Sequence, residues 1–299
     1  MPAAVVFREV LFAACFFAAP CWLQAAPPAH VPGGPAEFPA RTGIVQLDGA
    51  AYVPIDELAQ QLGLTLTWPQ PEKRALLATD SLKIELSPNS REISVDGLRV
   101  FLGQPTRWYK RMLCVSQIDA EHVLTSFIRA ADGKINVPKA VKTIVVDPGH
   151  GGSYIGTQNE RLKMQEKTYT LDTALRLQTV LAARGYTVVM TRTEDRDLSP
   201  DWKVDLHSRA EVAKRAKADL FVSIHYNAAA QNSQQISGLE VFRYTPQFQL
   251  PAHRNERRPE DDSPYPADNY TYWNSLLGLS LYKAVVAEVK GGDRGFRHD

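Results

Sequence analysis

The chain has 299 residues, which is enough for two compact domains. Hydrophobic residues make up 44% of it and charged residues 22%, a composition typical of globular proteins. The formal net charge of +1 argues against broad electrostatic capture of nucleic acid, which requires a concentrated basic surface. We therefore predict no nucleic-acid partner, although a balanced charge does not exclude a small local basic patch.

Residues 1–25 predict a signal peptide. An apolar run at 10–19 follows Arg8, and the tripeptide LQA at 23–25 has the spacing that signal peptidase recognises. The run is far shorter than the ~20 apolar residues that span a bilayer, and no later stretch is long enough. We therefore expect secretion across the inner membrane, into the periplasm or cell wall, without a membrane span. A lipoprotein is the alternative, because FAAC at 12–15 is a loose lipobox.

Residues 26–41 predict a linker, because they are rich in proline, alanine and glycine and lack apolar periodicity. Two of the three cysteines lie in the predicted signal peptide, which leaves Cys114 in the mature chain. A single cysteine forms no internal disulfide, so we expect a buried, inert thiol there.

Residues 42–131 predict a small α+β domain. A helix at 57–62 ends at Gly63, and a second helix is expected at 118–129. Alternating apolar residues predict five strands, at 51–55, 64–68, 74–79, 82–86 and 92–95. The segments YVP…LAQQLGLTLTW and REISVDGLRVFL resemble the N-terminal domain of copper amine oxidases. That resemblance implies a spacing or wall-targeting role and no copper chemistry.

Residues 138–299 predict a second domain in which strands alternate with helices. The strands are expected at 142–146, 186–191, 220–224 and 239–242, and the helices at 166–184, 204–217 and 274–289. This order predicts the α/β class, with an open, mostly parallel sheet covered by helices on both faces. The polar, proline-rich segment 245–269 is too long for an ordinary connection and is either a flap or disordered.

Two histidines follow strands of this sheet. His150 lies in the glycine-rich turn DPGHGG after the first strand, and His225 directly follows the strand at 220–224. Parallel strands present their carboxyl ends at one edge, where a neutral imidazole is able to ligate zinc. Glu166 opens a helix at the same edge and completes a two-histidine, one-carboxylate set. Glu160 is a weaker alternative because it lies in the loop, and Glu166 is otherwise a favourable anion at a helix N-terminus.

Four segments in order, TIVVDPGHGG, QEKTYTLDTALRLQTVLAARGYTVVMTR, HSRAEVAKRAKADLFVSIHYNA and SGLEVF, resemble the zinc-dependent N-acetylmuramoyl-L-alanine amidases of the amidase-3 family. The resemblance implies that His150, Glu166 and His225 hold Zn²⁺. It places Asn227 beside the site, to orient ligand or substrate. It also implies an outer role for Asp147, which fixes the His150 turn or its tautomer. The resemblance also marks Arg192 and Arg209 as structural residues.

The resemblance also implies the reaction, hydrolysis in peptidoglycan of the amide between N-acetylmuramic acid and the first L-Ala of the stem peptide. Zinc would polarise the carbonyl and lower the pKa of bound water toward ~7, and a carboxylate would act as general base. Relatives carry that glutamate in a final strand after a stretch similar to DRGV. This chain reaches 293–296 and stops at Asp299, so we expect a truncated product without the final strand, base and closing helix. Glu240 is the one substitute, if the sheet order brings it near the zinc.

Three functions therefore compete on the sequence. The first is an active amidase, and the second is a weak or inactive amidase-like protein that binds cell-wall peptide. The third is another zinc hydrolase such as a deacetylase, against which the match of several motifs argues.

Overall fold

The computed structural model describes most of both predicted domains. It describes residues 15–17, 43–71, 73–131, 140–228, 237–245, 249, 251, 254, 270–289 and 292–298. The predicted linker 26–41, nearly all of the predicted signal peptide and most of the segment 245–269 lie outside the described residues. None of the described helices is both long and apolar enough to cross a membrane.

The predicted helices and strands are present in order, together with several strands that the sequence did not predict. Up to residue 131 they are β1 (Cys15–Phe17), β2 (Val45–Leu47), β3 (Ala50–Pro54), α1 (Ile55–Leu62), β4 (Thr65–Gln70), β5 (Arg74–Ala78), β6 (Lys83–Leu86), β7 (Glu92–Val95), β8 (Leu98–Phe101), β9 (Arg107–Tyr109), β10 (Met112–Ser116), α2 (Gln117–Asp119), a π-helical turn (Ala120–Leu124) and α3 (Thr125–Ala131). Beyond it they are β11 (Thr143–Pro148), β12 (Gln158–Asn159), β13 (Met164–Gln165), α4 (Glu166–Ala183), β14 (Thr187–Met190), α5 (Trp202–Ala216), β15 (Leu220–Ile224), β16 (Leu239–Arg243), α6 (Thr271–Glu288) and β17 (Asp293–His298).

The chain divides into two compact units. Unit 1 contains the described residues within Met1–Gln24, Lys139–Phe242 and Leu281–Arg294. Unit 2 contains those within Ala25–Pro138, Arg243–Ser280 and Gly295–Asp299. The described residues within 243–280, which are predicted to belong to the second domain, therefore group with unit 2. The domain boundaries at 131 and 138 stay a prediction.

Unit 1 is a layered α/β structure with its strands in the order β14-β11-β15-β1-β16. The strand β11 pairs in parallel with both β14 and β15, whereas β1 pairs antiparallel with β15. Alternate residues of β11 face opposite sides, so Ile144 and Val146 pack against Ala174 of α4. Val145, between them, packs against Ala213 of α5. Helices thus cover both faces of a mostly parallel sheet, as predicted.

Unit 2 is an α+β structure, again as predicted. Its strands β8-β7-β6-β5-β4 form an antiparallel meander, and β2-β3-β10-β9 form a second sheet. The β7–β8 hairpin turns at Asp96 and Gly97, whose φ angles of 51° and 84° are those of the tight turn expected of this pair. The fully buried core includes Leu58, Leu77, Ile84, Val95, Val100, Leu102 and Phe127, and Cys114 is also buried.

His122, in the π-helical turn of unit 2, is a buried group that predicts a pH-dependent stability. Burial, together with the positive charge of Arg243, lowers the pKa of His122 to about 4. The unfolded chain, with a histidine pKa near 6.5, therefore binds the proton more readily between these two values. The folded state is consequently expected to lose stability as the pH falls from 6.5 toward 4.

Urea unfolding at pH 7 and at pH 4.5 measures this loss. The wild-type chain is expected to lose about 2–3 kcal/mol more than the His122→Gln variant over this interval. The comparison isolates His122, because the carboxylates that also titrate in acid are the same in both proteins. Parallel losses in the two proteins would contradict the assignment.

Candidate metal centre

Two histidines and one glutamate converge at one edge of the unit 1 sheet. His150 lies two residues beyond β11, His225 directly follows β15, and Glu166 is the first residue of α4. The parallel pairing of β11 and β15 continues to Pro148 and Ile224, so the carboxyl ends of both strands meet at the same edge. The topology therefore brings the three predicted ligands together.

The three side chains are close enough to share one small ion. His225 Nδ1 lies 3.0 Å from Glu166 Oε1, and His150 Nε2 lies 3.3 Å from the same oxygen. One ligand atom of each residue lies within 4.8 Å of the other two, and the imidazole centroids are 4.9 Å apart. Tetrahedral ligands at ~2.0–2.1 Å from zinc are about 3.3 Å apart, so this donor set and its spacing fit zinc.

Glycines leave the room that the imidazoles and the carboxylate occupy. A Cβ atom on Gly149 would lie 2.3 Å from Cε1 of His225. A Cβ atom on Gly156 would lie 2.6 Å from Oε2 of Glu166 and 2.7 Å from Cδ2 of His150, and Gly156 has a φ of +71°. His150 itself has a φ of 63°, an uncommon value for a residue with a side chain. The backbone around the site is thus shaped to hold these three side chains.

The Glu166 carboxylate is buried and fully engaged by donors. Its Oε2 accepts a hydrogen bond from the Thr157 amide, and its Oε1 accepts one from the Tyr226 amide, both at 2.8 Å. Burial alone would raise the pKa of Glu166, but the hydrogen bonds from His150, His225 and Thr157 together hold it well below the ordinary range. Glu166 is therefore ionised at neutral pH, the form in which a carboxylate binds a cation.

Asp147 anchors the His150 turn through Arg209. The Asp147 carboxylate accepts hydrogen bonds from Thr191 Oγ1, Ser223 Oγ and the Arg209 guanidinium at 2.5, 2.7 and 2.8 Å. Arg209 also donates to the carbonyl oxygen of His150 at 2.9 Å. Among the described residues, Asp147 has no hydrogen bond to the imidazole. Asp147 therefore contacts the His150 turn through Arg209, and its role in fixing the turn or the tautomer stays a prediction.

Three further side chains hold the same edge of the sheet. Arg192, which the resemblance marks as structural, is buried and donates to the carbonyl oxygens of Pro148 and Gly149, both at 3.0 Å. The Thr170 hydroxyl donates to the Gly149 oxygen, and Lys167 Nζ donates to Gly152 O at 2.7 Å. Thr170 and Lys167 are not among the site residues predicted from the sequence. Lys167 directly follows Glu166, and Thr170 lies one helical turn after it in α4. These spacings alone would have placed both residues near the site.

The other predicted site residues are not members of this group of three. Asn227 is half-buried and follows Tyr226, whose amide binds Glu166. Glu160 is exposed, and it is not a member of the three-residue group. Glu240 lies in β16, is buried, and its Oε1 accepts hydrogen bonds from Nε and a terminal nitrogen of Arg294 at 2.7 and 2.6 Å. Glu240 is likewise outside the group of three.

Two known protein families match this chain. A model of the N-acetylmuramoyl-L-alanine amidase family matches residues 144–298, more than half of the chain. The chain belongs to this family. All three residues of the candidate centre lie within the amidase match. A model of the copper amine oxidase N-terminal domain matches residues 31–122, which confirms the second resemblance.

Two curated amidases illustrate the likeness. The germination-specific N-acetylmuramoyl-L-alanine amidase of Bacillus subtilis is 37% identical over 117 residues, which are 36% of this chain and 48% of that protein. The probable cell wall amidase LytH of Staphylococcus aureus is 39% identical over 135 residues, 45% of this chain and 39% of that protein. The chain thus spans less than half the length of either relative.

Solved amidase structures are also similar. The N-acetylmuramoyl-L-alanine amidase from Clostridium difficile 630 is 28% identical, covering 54% of this chain and 71% of that one with a TM-score of 0.40. The catalytic domain of the amidase CwlV from Bacillus (Paenibacillus) polymyxa var. colistinus is 27% identical, with 53% and 70% covered and a TM-score of 0.38.

Proposed function

We propose that the chain is a zinc-dependent peptidoglycan amidase. Its reaction is hydrolysis of the amide between N-acetylmuramic acid and the first L-Ala of the stem peptide. The observation that carries this proposal is the convergence of His150, Glu166 and His225 on one point, in a chain of the amidase family. Two histidines and one carboxylate, with a fourth position left for water or substrate, form a set typical of catalytic zinc.

Zinc, when bound, would polarise the amide carbonyl and acidify a bound water. The residues of the chain keep the site ready for that chemistry. Glu166 stays ionised because four donors surround it. Arg209 and Arg192 hold the carbonyl oxygens of the His150 turn, so the imidazole does not need to reorganise on binding. Asn227 is placed by its neighbour Tyr226 to orient ligand or substrate.

The general base remains a prediction from the sequence. Glu240 was the nominated residue, and its carboxylate is engaged by Arg294. Accepting a proton from water there would require this ion pair to break. A Glu240→Gln variant that keeps its rate of hydrolysis would remove Glu240 from the mechanism.

The cellular setting follows from the proposed substrate. We propose that residues 1–25 direct secretion and that the chain acts on peptidoglycan in the periplasm or cell wall. The relative named as a probable cell wall amidase supports this placement. The residues 42–131 then form an accessory domain beside the amidase domain at 138–299.

The deciding experiment is hydrolysis of purified peptidoglycan by the full chain loaded with zinc. The expected product is stem peptide with a free amine on L-Ala, detected by mass spectrometry, together with a lytic band on a peptidoglycan gel. Binding to the wall without this product would favour the binding-only alternative. Release of acetate in place of peptide would favour a deacetylase.

A Gly156→Ala variant tests the shape of the centre. The added Cβ atom meets the Glu166 carboxylate and the His150 ring, and φ at this position is +71°. We expect zinc affinity to fall by about 10–100-fold, the range found when a partner of a metal ligand is disturbed. Gly185→Ala is the matched control, because Gly185 also has a positive φ, of +88°, but its Cβ meets no described atom within 4 Å. Equal zinc affinity in the two variants, measured by competition with a chelator, would contradict the geometry.

A further inference from the structure

Unit 2 has an open aromatic cleft of its own. It encloses about 570 Å³ and is lined by Trp68, Pro71, Trp108 and Arg111. This volume is within the ~300–1,000 Å³ of small-molecule sites. Trp68 comes from β4 and Trp108 from β9, and their rings stack with centroids 5.6 Å apart and planes 16° apart. Two different sheets therefore contribute to one aromatic platform.

The two indoles are more exposed than a structural role requires. Both are only half-buried, although unit 2 buries many smaller apolar side chains completely. Trp68 and Trp108 instead line the open cleft and leave ring surface available to a ligand. Tryptophan at such a position offers a large, rigid apolar face at a small cost in conformational entropy.

A positively charged side chain, that of Arg111, also lines this cleft. Lys110 and Arg111 form the two-residue turn between β9 and β10, with φ angles of 45° and 69°. Turns of this type favour Asn-Gly, since side chains at positive φ are strained. Arg111 is exposed, and within the part of the chain that the structure describes it pairs with no carboxylate. A strained turn that carries an exposed guanidinium beside an open cleft motivates the hypothesis of a binding site.

We propose that this cleft binds a carboxylate-bearing glycan, namely the peptidoglycan strand from which stem peptides have been removed. Pyranose rings have apolar C–H faces that stack on indole, and the guanidinium of Arg111 recognises a carboxylate through paired hydrogen bonds. The proposed hydrolysis adds water across the lactyl amide. It leaves a carboxylate on the sugar and a free amine on L-Ala. The identity of the glycan rests on the proposed function, whereas the existence of the cleft is independent of it.

The test is equilibrium binding of the full chain to soluble glycan strands that an independent amidase has stripped of peptide. EDTA is present, so that the chain itself cleaves nothing. Trp108→Ala is expected to weaken binding by about 10-fold or more, as when a stacking aromatic is truncated. Arg111→Gln is expected to weaken it by a similar factor, because the charge-assisted hydrogen bonds to the carboxylate are lost. Trp202→Ala is the matched control, because Trp202 is 57% exposed on α5 of unit 1 and is expected to change nothing.

An uncharged chitin oligosaccharide separates the two contacts. Trp108→Ala is expected to weaken its binding, and Arg111→Gln is expected to leave it unchanged. Trp108→Phe keeps an aromatic ring and is expected to restore most of the affinity, which guards against misfolding of the alanine variant. Wild-type affinity of Trp108→Ala for both glycans, or binding of a proline-rich peptide in place of glycan, would overturn the proposal. Failure of the proposed function would instead show as absent cleavage with glycan binding intact.

Discussion

Replacing His225 with alanine is expected to abolish stoichiometric zinc binding and to reduce peptidoglycan hydrolysis to background. His225 Nδ1 lies 3.0 Å from Glu166 Oε1, so its loss removes one of three ligands at close range. Disturbing an outer partner of a ligand costs ~10–100-fold in affinity, so losing the ligand itself is expected to cost more than ~100-fold. Glu166→Gln is expected to act in the same direction, since it keeps the shape and removes the charge. Zinc content by atomic absorption and chelator competition measure both.

The control for this experiment is another histidine of the same unit. His207 lies on α5 with a side chain that is 74% exposed, and it is outside the group of three. A His207→Ala variant is expected to bind zinc and cleave peptidoglycan as the wild type does. Full zinc occupancy in His225→Ala, with unchanged activity, would contradict the metal centre itself.

Replacing Arg209 with methionine is expected to give the largest loss of stability in unit 1. Arg209 lies 2.8 Å from carboxylate oxygens of both Asp147 and Asp205, and all three side chains are about 5% exposed. Burial alone would lower the pKa of Arg209, but Asp147 and Asp205 raise it, so the residue is a permanent buried cation. Methionine would leave the buried carboxylates of Asp147 and Asp205 without this cationic partner. We expect a loss of about 3–5 kcal/mol in the free energy of unfolding.

An exposed ion pair supplies the comparison. Arg176 pairs with Asp172 on α4 at 2.9 Å, with side chains 78% and 59% exposed. Arg176→Met is expected to cost far less stability than Arg209→Met, because solvent screens such a pair. Urea unfolding of the zinc-free proteins measures both losses. Similar losses for the two variants would show that the Asp147–Arg209 pair contributes no more than a surface contact.

The Arg209 variant also tests how the turn supports the metal. Arg209 donates to the carbonyl oxygen of His150, so its removal is expected to weaken zinc binding as well as stability. An Arg209→Lys variant keeps the charge but not the branched set of donors. It is therefore expected to recover more stability than zinc affinity.

The convergence of His150, Glu166 and His225 could be predicted from the sequence, because each residue has a recognisable local context. His150 and His225 follow short strands rich in β-branched residues, and Glu166 opens the 18-residue helix α4. Parallel strands necessarily end at the same edge, so the meeting of the three required no knowledge of side-chain packing. The Arg209 and Arg192 networks have no such signature, because their partners are backbone carbonyls that only the folded turn presents.

Helix faces show the limit of pattern reasoning. Three leucines of α4 have different environments: Leu175 is 37% exposed, whereas Leu177 and Leu181 pack against the core. Which side of a helix is covered depends on the neighbours that the tertiary structure supplies. The grouping of residues 243–280 with unit 2 has the same origin, since contacts remote in sequence decide it.

By itself, the sequence determined the α/β and α+β classes and the amidase family, and it predicted that His150, Glu166 and His225 meet at one edge of the sheet. These depend on periodicity of two or 3.6 residues and on motifs that are continuous in the chain. Only the tertiary structure decided that Asp147 pairs with Arg209, that Glu240 pairs with Arg294, and that Trp68 stacks on Trp108. Each of these contacts joins residues at least 40 positions apart, where no local pattern specifies which side chains become neighbours.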